Sequence, residues 1–355
     1  MSKFLNPKYA NIEVYTPGEQ PRDMNYIKLN TNESPYPPSP GVIDAVNGGE
    51  AALLRLYSDP ECKALKEALA DLYHVNYENV YVSNGSDDIL NFAFMAFTSE
   101  NVGAAFPEIS YGFYKVYGDL HRCNYERIPL KEDFSIDADD YCNLNSLIVI
   151  ANPNAPTGKF LPLQEVEKII VANPDNVVLV DEAYVDFGGK SAIPLTKKYK
   201  NLLVVQTFSK SRSMAGARLG FAIGDKGLIE DLNRIKYSTN PYNVNRLTMA
   251  AGVAAIKDND YYVENCMKIC QTRQQTIEAL ETLDFHVIPS KANFILAKSR
   301  QIGGFELYTR LKERGILVRY LGYEKIKDYN RITIGTPEEM ETFINTVKDI
   351  LEEYK

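Results

Sequence analysis

Two short segments hold the chemistry of this sequence: Thr207-Phe208-Ser209-Lys210, and eight residues past the lysine, Arg218 in Ala215-Gly216-Ala217-Arg218-Leu219-Gly220-Phe221. The apolar run Leu202-Leu203-Val204-Val205 before them reads as a buried strand. Lys210 therefore falls just beyond a strand's C-terminal end, where open α/β sheets take their ligands. Partial desolvation there lowers a lysine's pKa and frees its amine to form a Schiff base with an aldehyde. The hydroxyls of Thr207 and Ser209 and the fork of Arg218 suit a phosphate dianion. An aldehyde and a phosphate on one small molecule describe pyridoxal phosphate. A lone lysine is more often a solvated surface charge, so this reading needs support from other strand ends.

Several supply it. Asp181 follows Val177-Val178-Leu179-Val180, so its carboxylate emerges from a buried strand, a costly place unless a cation pairs with it. A pyridinium nitrogen would be that cation, and the pairing would keep the ring protonated. Tyr184, three residues on, could reach a phenolic oxygen beside the aldehyde. Tyr111, after the strand Val102–Phe106 and Pro107, has the shape to stack on a ring. Asp181 with Glu182 could instead be an acidic metal pair, although no further ligands lie nearby in sequence. The strand Asn79–Ser83 runs into Gly85-Ser86-Asp87 and an apolar helix, a backbone anion site of the kind found at helix starts. Any strand-to-helix connection needs such a turn, so this signal is weak alone.

Nearly continuous apolar strands separated by helical patterns predict an α/β fold. A mostly parallel central sheet covered by helices would form a large domain of residues 46–250. From Pro60 the pattern is helical, with Leu65, Leu69 and Leu72 on one face. A long helical stretch covers roughly 245–283. Beyond it, short strands and helices alternate, which predicts a smaller α+β domain within 251–355. Residues 1–45 are too rich in proline for a continuous helix and read as an extended arm packing with the small domain.

Bulk properties narrow the function. The chain has 355 residues and a net charge of −8, which argues against a sequence-independent grip on nucleic acid. Its three histidines, His74, His121 and His286, lie in no catalytic pattern, which argues against a Ser-His-Asp hydrolase or a zinc enzyme. The five cysteines form no disulfide or metal framework. With no apolar leader core and no membrane-length apolar run, a cytoplasmic location is expected.

Taken together, Asn-Pro-Asn-x-Pro-Thr-Gly at 152–158, Asp181-Glu182-Ala183-Tyr184, Thr207–Lys210 and Ala215–Phe221 resemble the fold-type-I pyridoxal-phosphate aminotransferases. Within them the chain is most similar to the histidinol-phosphate aminotransferases, from Tyr15-Thr16-Pro17-Gly18 through Arg331–Glu339. The resemblance implies that Lys210 is the Schiff-base lysine and proton carrier, that Asp181 binds the pyridinium nitrogen, and that Tyr184 binds the phenolic oxygen. Tyr111 would stack on the ring. The phosphate would sit among Gly85-Ser86-Asp87, Thr207 or Ser209, and Arg218. Tyr57 would reach the cofactor phosphate of a neighbouring subunit, implying a homodimer with shared active sites; a packed core tyrosine is the plain alternative. Arg331 would receive the carboxylate of glutamate or 2-oxoglutarate, Arg319 a substrate phosphate, and Tyr15 and Asn32 on the arm would close the site.

Two departures stand out. Ala155 occupies the place where most relatives have an asparagine on the phenolic oxygen, leaving Asn154 as its substitute or Tyr184 alone. The segment Pro107–Tyr111 is longer than the usual pattern, so Tyr111 competes with Tyr114 for the ring. The expected reaction moves an amino group between glutamate and imidazole-acetol phosphate. A phosphothreonine decarboxylase, an aminotransferase for aromatic or other amino acids, and a non-catalytic regulator remain alternatives on the same scaffold.

Overall fold

Strands such as Ser146–Ala151 and Leu202–Thr207 carry apolar residues on both faces because both faces are covered. The computed structural model describes residues 2–10, 12, 13 and 15–354. In chain order its first half holds β1 (Ile27–Lys28), α1 (Pro40–Asn47), α2 (Lys63–Tyr73), β2 (Val80–Ser83), α3 (Gly85–Phe97), β3 (Gly103–Pro107), α4 (Phe113–His121), β4 (Tyr125–Ile128), β5 (Ser146–Ala151) and α5 (Leu163–Ala172). Then come β6 (Val178–Asp181), β7 (Leu202–Thr207), β8 (Gly220–Gly224), α6 (Lys226–Thr239), α7 (Arg246–Lys257) and α8 (Asn259–Thr282). The last part is β9 (Phe285–Ile288), β10 (Phe294–Ser299), α9 (Gly304–Glu313), β11 (Ile316–Leu317), β12 (Arg319–Tyr320), β13 (Asn330–Thr333) and α10 (Pro337–Glu353).

Seven strands form the main sheet in the order β2-β8-β7-β6-β5-β3-β4. Their neighbours are parallel, as expected, except that β8 runs antiparallel to both β2 and β7. A parallel return requires a crossover of about a dozen or more residues, usually a helix. Residues 208–219 contain no helix beyond the single 3-10 turn Ala215–Ala217, so the chain comes straight back as β8. That tight return carries Lys210 at one end and Arg218 at the other. Strand β4 was not expected, because Tyr125-Glu126-Arg127-Ile128 exposes its two charged residues at the sheet's edge.

Ile148, Val180 and Val204 face one core of the sheet; Val149, Leu179 and Val205 face the other. The helical stretch expected over 245–283 is broken at Asp258, which ends α7 and begins α8. The break follows from two packing partners. Ala251, Ala255 and Tyr262 pack into the first of those cores, whereas Cys266, Ile269 and Leu280 pack into a separate one. The domain boundary expected at 250 thus falls inside α7, and the change of core lies within α8.

The separate core covers an antiparallel sheet in the order β12-β13-β10-β9. The arm joins it: β1 pairs in parallel with β11, and Leu29 is buried in this core. Asn32 then donates its N–H to Thr333 Oγ1 at 3.0 Å, and Asn293 Nδ2 donates to the Asn32 carbonyl at 3.1 Å. These bonds deliver Thr31 and Asn32 to the C-terminal edge of the main sheet. Among the described residues, no helix is long and apolar enough to cross a membrane.

Candidate active site

The C-terminal ends of β2, β5, β6 and β7 converge on a cavity of about 210 Å³. Asp181, the last residue of β6, is 5% exposed and lines it. Its Oδ2 accepts from Tyr114 Oη at 2.7 Å and its Oδ1 from Ala183 N at 3.2 Å. Glu182 points elsewhere, accepting from Ser191 Oγ, Ala192 N and Gln206 Nε2, so the two carboxylates do not converge as a metal pair. Burial pushes the Asp181 carboxyl up to about 6 and that of Glu182 up to about 7.

An acid with a raised folded-state pKa binds its proton sooner when folded, so stability rises as pH falls through the folded values toward the unfolded ones. Ligand-free protein is expected to melt higher at about pH 5.5 than at about pH 8, with these two groups contributing on the order of a few kcal/mol. Asp181→Asn should reduce that difference. Calorimetry giving an equal or higher melting temperature at the higher pH would contradict the assignment.

The phosphate end is built from the turn into α3 and the β7–β8 return. Asn84 provides no side-chain cap to α3, so its first N–H groups remain open toward the cavity at Ser86 and Asp87. Gly85 has φ +79°, and a Cβ there would lie 2.7 Å from Arg218 Nη2. A Cβ on Gly220 would lie 2.5 Å from Ser86 N. Both glycines let backbone and guanidinium close around one small space. Thr207 Oγ1 donates to Ser209 Oγ at 3.0 Å, and Arg218 Nη1 lies 3.5 Å from that same oxygen. Asp87 orients the set: its carboxylate meets Arg218 Nη2 at 3.0 Å and Tyr111 Oη at 2.7 Å.

Lys210 projects between this cavity and a larger one, with Nζ 3.3 Å from the Thr31 carbonyl and 5.7 Å from the centre of the Tyr184 ring. Tyr184 Oη accepts from Asn32 Nδ2 at 3.0 Å. Asn32 Oδ1 accepts from Thr333 Oγ1 at 3.0 Å, which holds its amide against Tyr184 at the wall of the larger cavity. Tyr111 lines both cavities, whereas Tyr114 is fully buried behind Asp181; only Tyr111 can face a ring.

One expectation is corrected. Asn154 does not replace the missing asparagine at 155. Its Nδ2 donates to the Ile109 carbonyl and to Thr157 Oγ1, its Oδ1 accepts from Ser110 Oγ, and it lines neither cavity. The methyl of Ala155 lines the wall instead, next to Tyr184.

The larger cavity, about 720 Å³, is lined in part by Tyr15 of the arm. Arg319 and Arg331 sit directly opposite each other on β12 and β13 and both line it. Like charges at such a position repel unless an anion lies between them. Arg331 Nη2 donates to the Asn30 carbonyl at 2.8 Å, while its buried Nε has no partner among the described residues. Burial pushes the Arg331 guanidinium below its ordinary value, with Arg319 adding to the effect. Arg319 is held by the carbonyls of Thr16 and Pro17 on the arm.

Tyr57 lies outside both cavities. It is 80% exposed and stacks on Tyr242 at 4.6 Å, which removes the core-tyrosine alternative. Sequence reading missed the Tyr114–Asp181 bond and the Thr31 carbonyl beside Lys210. The Tyr111-x-x-Tyr114 spacing, one turn at the start of α4, was the signal for the first; the second depends on where the arm lands.

A lysine at the return of an antiparallel strand, an aspartate at the end of its parallel neighbour and an open anion cradle stand together at one edge of the sheet, as the resemblance to the fold-type-I pyridoxal-phosphate aminotransferases implies. The model of the family "Aminotransferase class I and II" matches residues 24–347. A histidinol-phosphate aminotransferase of Brachyspira hyodysenteriae is 54% identical over 352 residues, covering 99% of each chain. Among solved structures, the histidinol-phosphate aminotransferase of Sinorhizobium meliloti in complex with pyridoxal-5'-phosphate superposes with a TM-score of 0.85 at 24% identity, covering 93% of this chain and 92% of that one. The L-threonine-O-3-phosphate decarboxylase of Porphyromonas gingivalis reaches 0.79 at 22% identity, with 92% and 99% covered. The chain belongs to the class I and II aminotransferase family.

Proposed function

We propose that this protein binds pyridoxal phosphate and transfers an amino group between histidinol phosphate and 2-oxoglutarate, a step of histidine synthesis. The paired arginines on β12 and β13 carry the reading, because they add an anion site in the larger cavity to the anion cradle of the smaller one, with Lys210 and Tyr184 lining both. The 54% identity to a histidinol-phosphate aminotransferase over nearly all of both chains supports it.

The donor set fits the cofactor. Ser86 N–H, the hydroxyls of Thr207 and Ser209, and Arg218 would hold its phosphate. Asp181 would hold its ring nitrogen, Tyr184 its phenolic oxygen, and Tyr111 would lie against the ring. Pyridoxal phosphate, when bound, supplies an aldehyde for the amino group and a protonated ring that draws electrons from the substrate carbon. Lys210 Nζ would bond the aldehyde at rest and, once released, move a proton to and from the carbon bearing the amino group. Asn32, by fixing Tyr184, offsets the loss of the asparagine at position 155. Arg331 would bind the carboxylate of the co-substrate and Arg319 the substrate phosphate; Tyr15, stacked on Phe113 at 4.2 Å, would line the entrance.

Exposed Leu54, Leu56 and Tyr57 form an apolar surface that suits a second copy of the chain. In such a homodimer Tyr57 would complete the partner's phosphate site. Hybrids of Lys210→Ala and Tyr57→Ala chains have one intact site each, so an equal mixture should recover about a quarter of the wild-type activity. No gain over the separate variants would contradict shared sites. The five free thiols suit a reducing cytoplasm, and recovery from an exported fraction would contradict that location.

The function is tested by incubating the holoenzyme with histidinol phosphate and 2-oxoglutarate and following glutamate. Glutamate formation supports the proposal. Carbon dioxide from phosphothreonine, without glutamate from histidinol phosphate, would move the chain to the decarboxylase alternative.

A further inference from the structure

We propose that Tyr114 is a positioning residue whose hydroxyl holds the Asp181 carboxylate ionised and aimed at the ring nitrogen of the cofactor. This rests on the cofactor reading above. Tyr114 stands in the first turn of α4, fully buried, its ring 5.7 Å from Phe106 and 5.7 Å edge-on from Tyr111. The ring is fixed by its neighbours, and its hydroxyl donates to Asp181 Oδ2 at 2.7 Å. Among the described residues no other side chain donates to that carboxylate.

The groups facing Asp181 make the bond consequential. Lys210 is an opposite charge near it, Asp87 a like charge from α3, and Tyr111 and Tyr184 flank Tyr114. The Asp87 carboxylate is engaged by Arg218 and Tyr111. Burial, then the neighbouring Asp181, pushes the Tyr114 phenol well above its ordinary value. It therefore stays a donor and never becomes a second anion. An ionised carboxylate offers about four acceptor sites; Tyr114 and the Ala183 N–H take two and leave room for a ring N–H. The turn Tyr111–Tyr114 thus serves both sides of one ring system: Tyr111 at its face, Tyr114 behind its nitrogen's partner.

The test compares the affinity of the apo-protein for pyridoxal phosphate with that for its analogue carrying C–H in place of the ring nitrogen, by equilibrium dialysis. Tyr114→Phe removes one oxygen and keeps the ring, and thermal unfolding of the apo form checks that it folds. Pyridoxal phosphate should bind about tenfold more weakly or worse, the worth of one hydrogen bond to a buried charge, while analogue affinity stays within about threefold. The acid limb of pyridoxal phosphate binding should also move to higher pH, because the carboxylate protonates sooner without its donor. Tyr114→His, which keeps an N–H donor, should retain more of the discrimination between the two cofactors than Tyr114→Phe. Equal weakening of both cofactors, no weakening of either, or equal discrimination in the two variants would overturn the inference and leave the cofactor reading intact. Wild-type protein that binds neither cofactor would overturn both.

Discussion

Lys210→Ala is expected to abolish turnover while the protein still takes up pyridoxal phosphate. Among the described residues the inner cavity has no other amine, and the groups proposed to hold the phosphate (Ser86, Thr207, Ser209 and Arg218) belong to other residues. Loss of the proton carrier alone removes about 10²–10⁴ in rate, and loss of the covalent anchor adds to that. Lys210 is half-buried and, among the described residues, bonded only to the Thr31 carbonyl, so folding should be little affected. The check pairs a rate measurement with gel filtration of the loaded variant. Cofactor that co-elutes without turnover is the expected result; near-normal activity would remove Lys210 from the chemistry.

Arg331→Gln is expected to separate function from stability. Arg331 is a half-buried cation with one main-chain carbonyl partner, a buried Nε without a partner among the described residues, and Arg319 opposite it. Such a charge destabilises the ligand-free fold until an anion arrives, and replacing it by a neutral group should leave the melting temperature of the apo-protein unchanged or higher. Binding of the carboxylate substrate should suffer instead. Removing one partner of a buried charge pair costs about 2–5 kcal/mol, so KM for 2-oxoglutarate should rise by more than about tenfold. A lower melting temperature with an unchanged KM would mean that Arg331 serves the fold alone.

Much of this site was legible because strand ends mark themselves. A buried strand that stops at a polar residue, as Val180 does at Asp181, places that residue at the sheet's rim whatever the rest of the chain does. The same holds for Lys210 beyond β7 and for the Gly85 turn beyond β2. The antiparallel course of β8 was less visible, since only the absence of a crossover helix in residues 208–219 announces it. Contacts set by tertiary placement were not legible at all. Asn32 reads from the sequence as a substrate contact; the structure keeps it on the wall of the larger cavity and adds bonds to Tyr184 and Thr333, because the arm lies along β13. Asn154 reads from the sequence as a cofactor contact, but Ile109, Ser110 and Thr157 use its amide. For both residues the type was informative and the bonding partners were not.

Substrate and reaction are tested most directly by the visible spectrum of the pyridoxal-phosphate form during titration with histidinol phosphate, followed by 2-oxoglutarate. The expected result is loss of the cofactor's visible band with the amine and its return with the keto acid, since the amino group must leave and re-enter through the same site. A band unmoved by histidinol phosphate, with carbon dioxide released from phosphothreonine in a parallel sample, would contradict the proposed reaction.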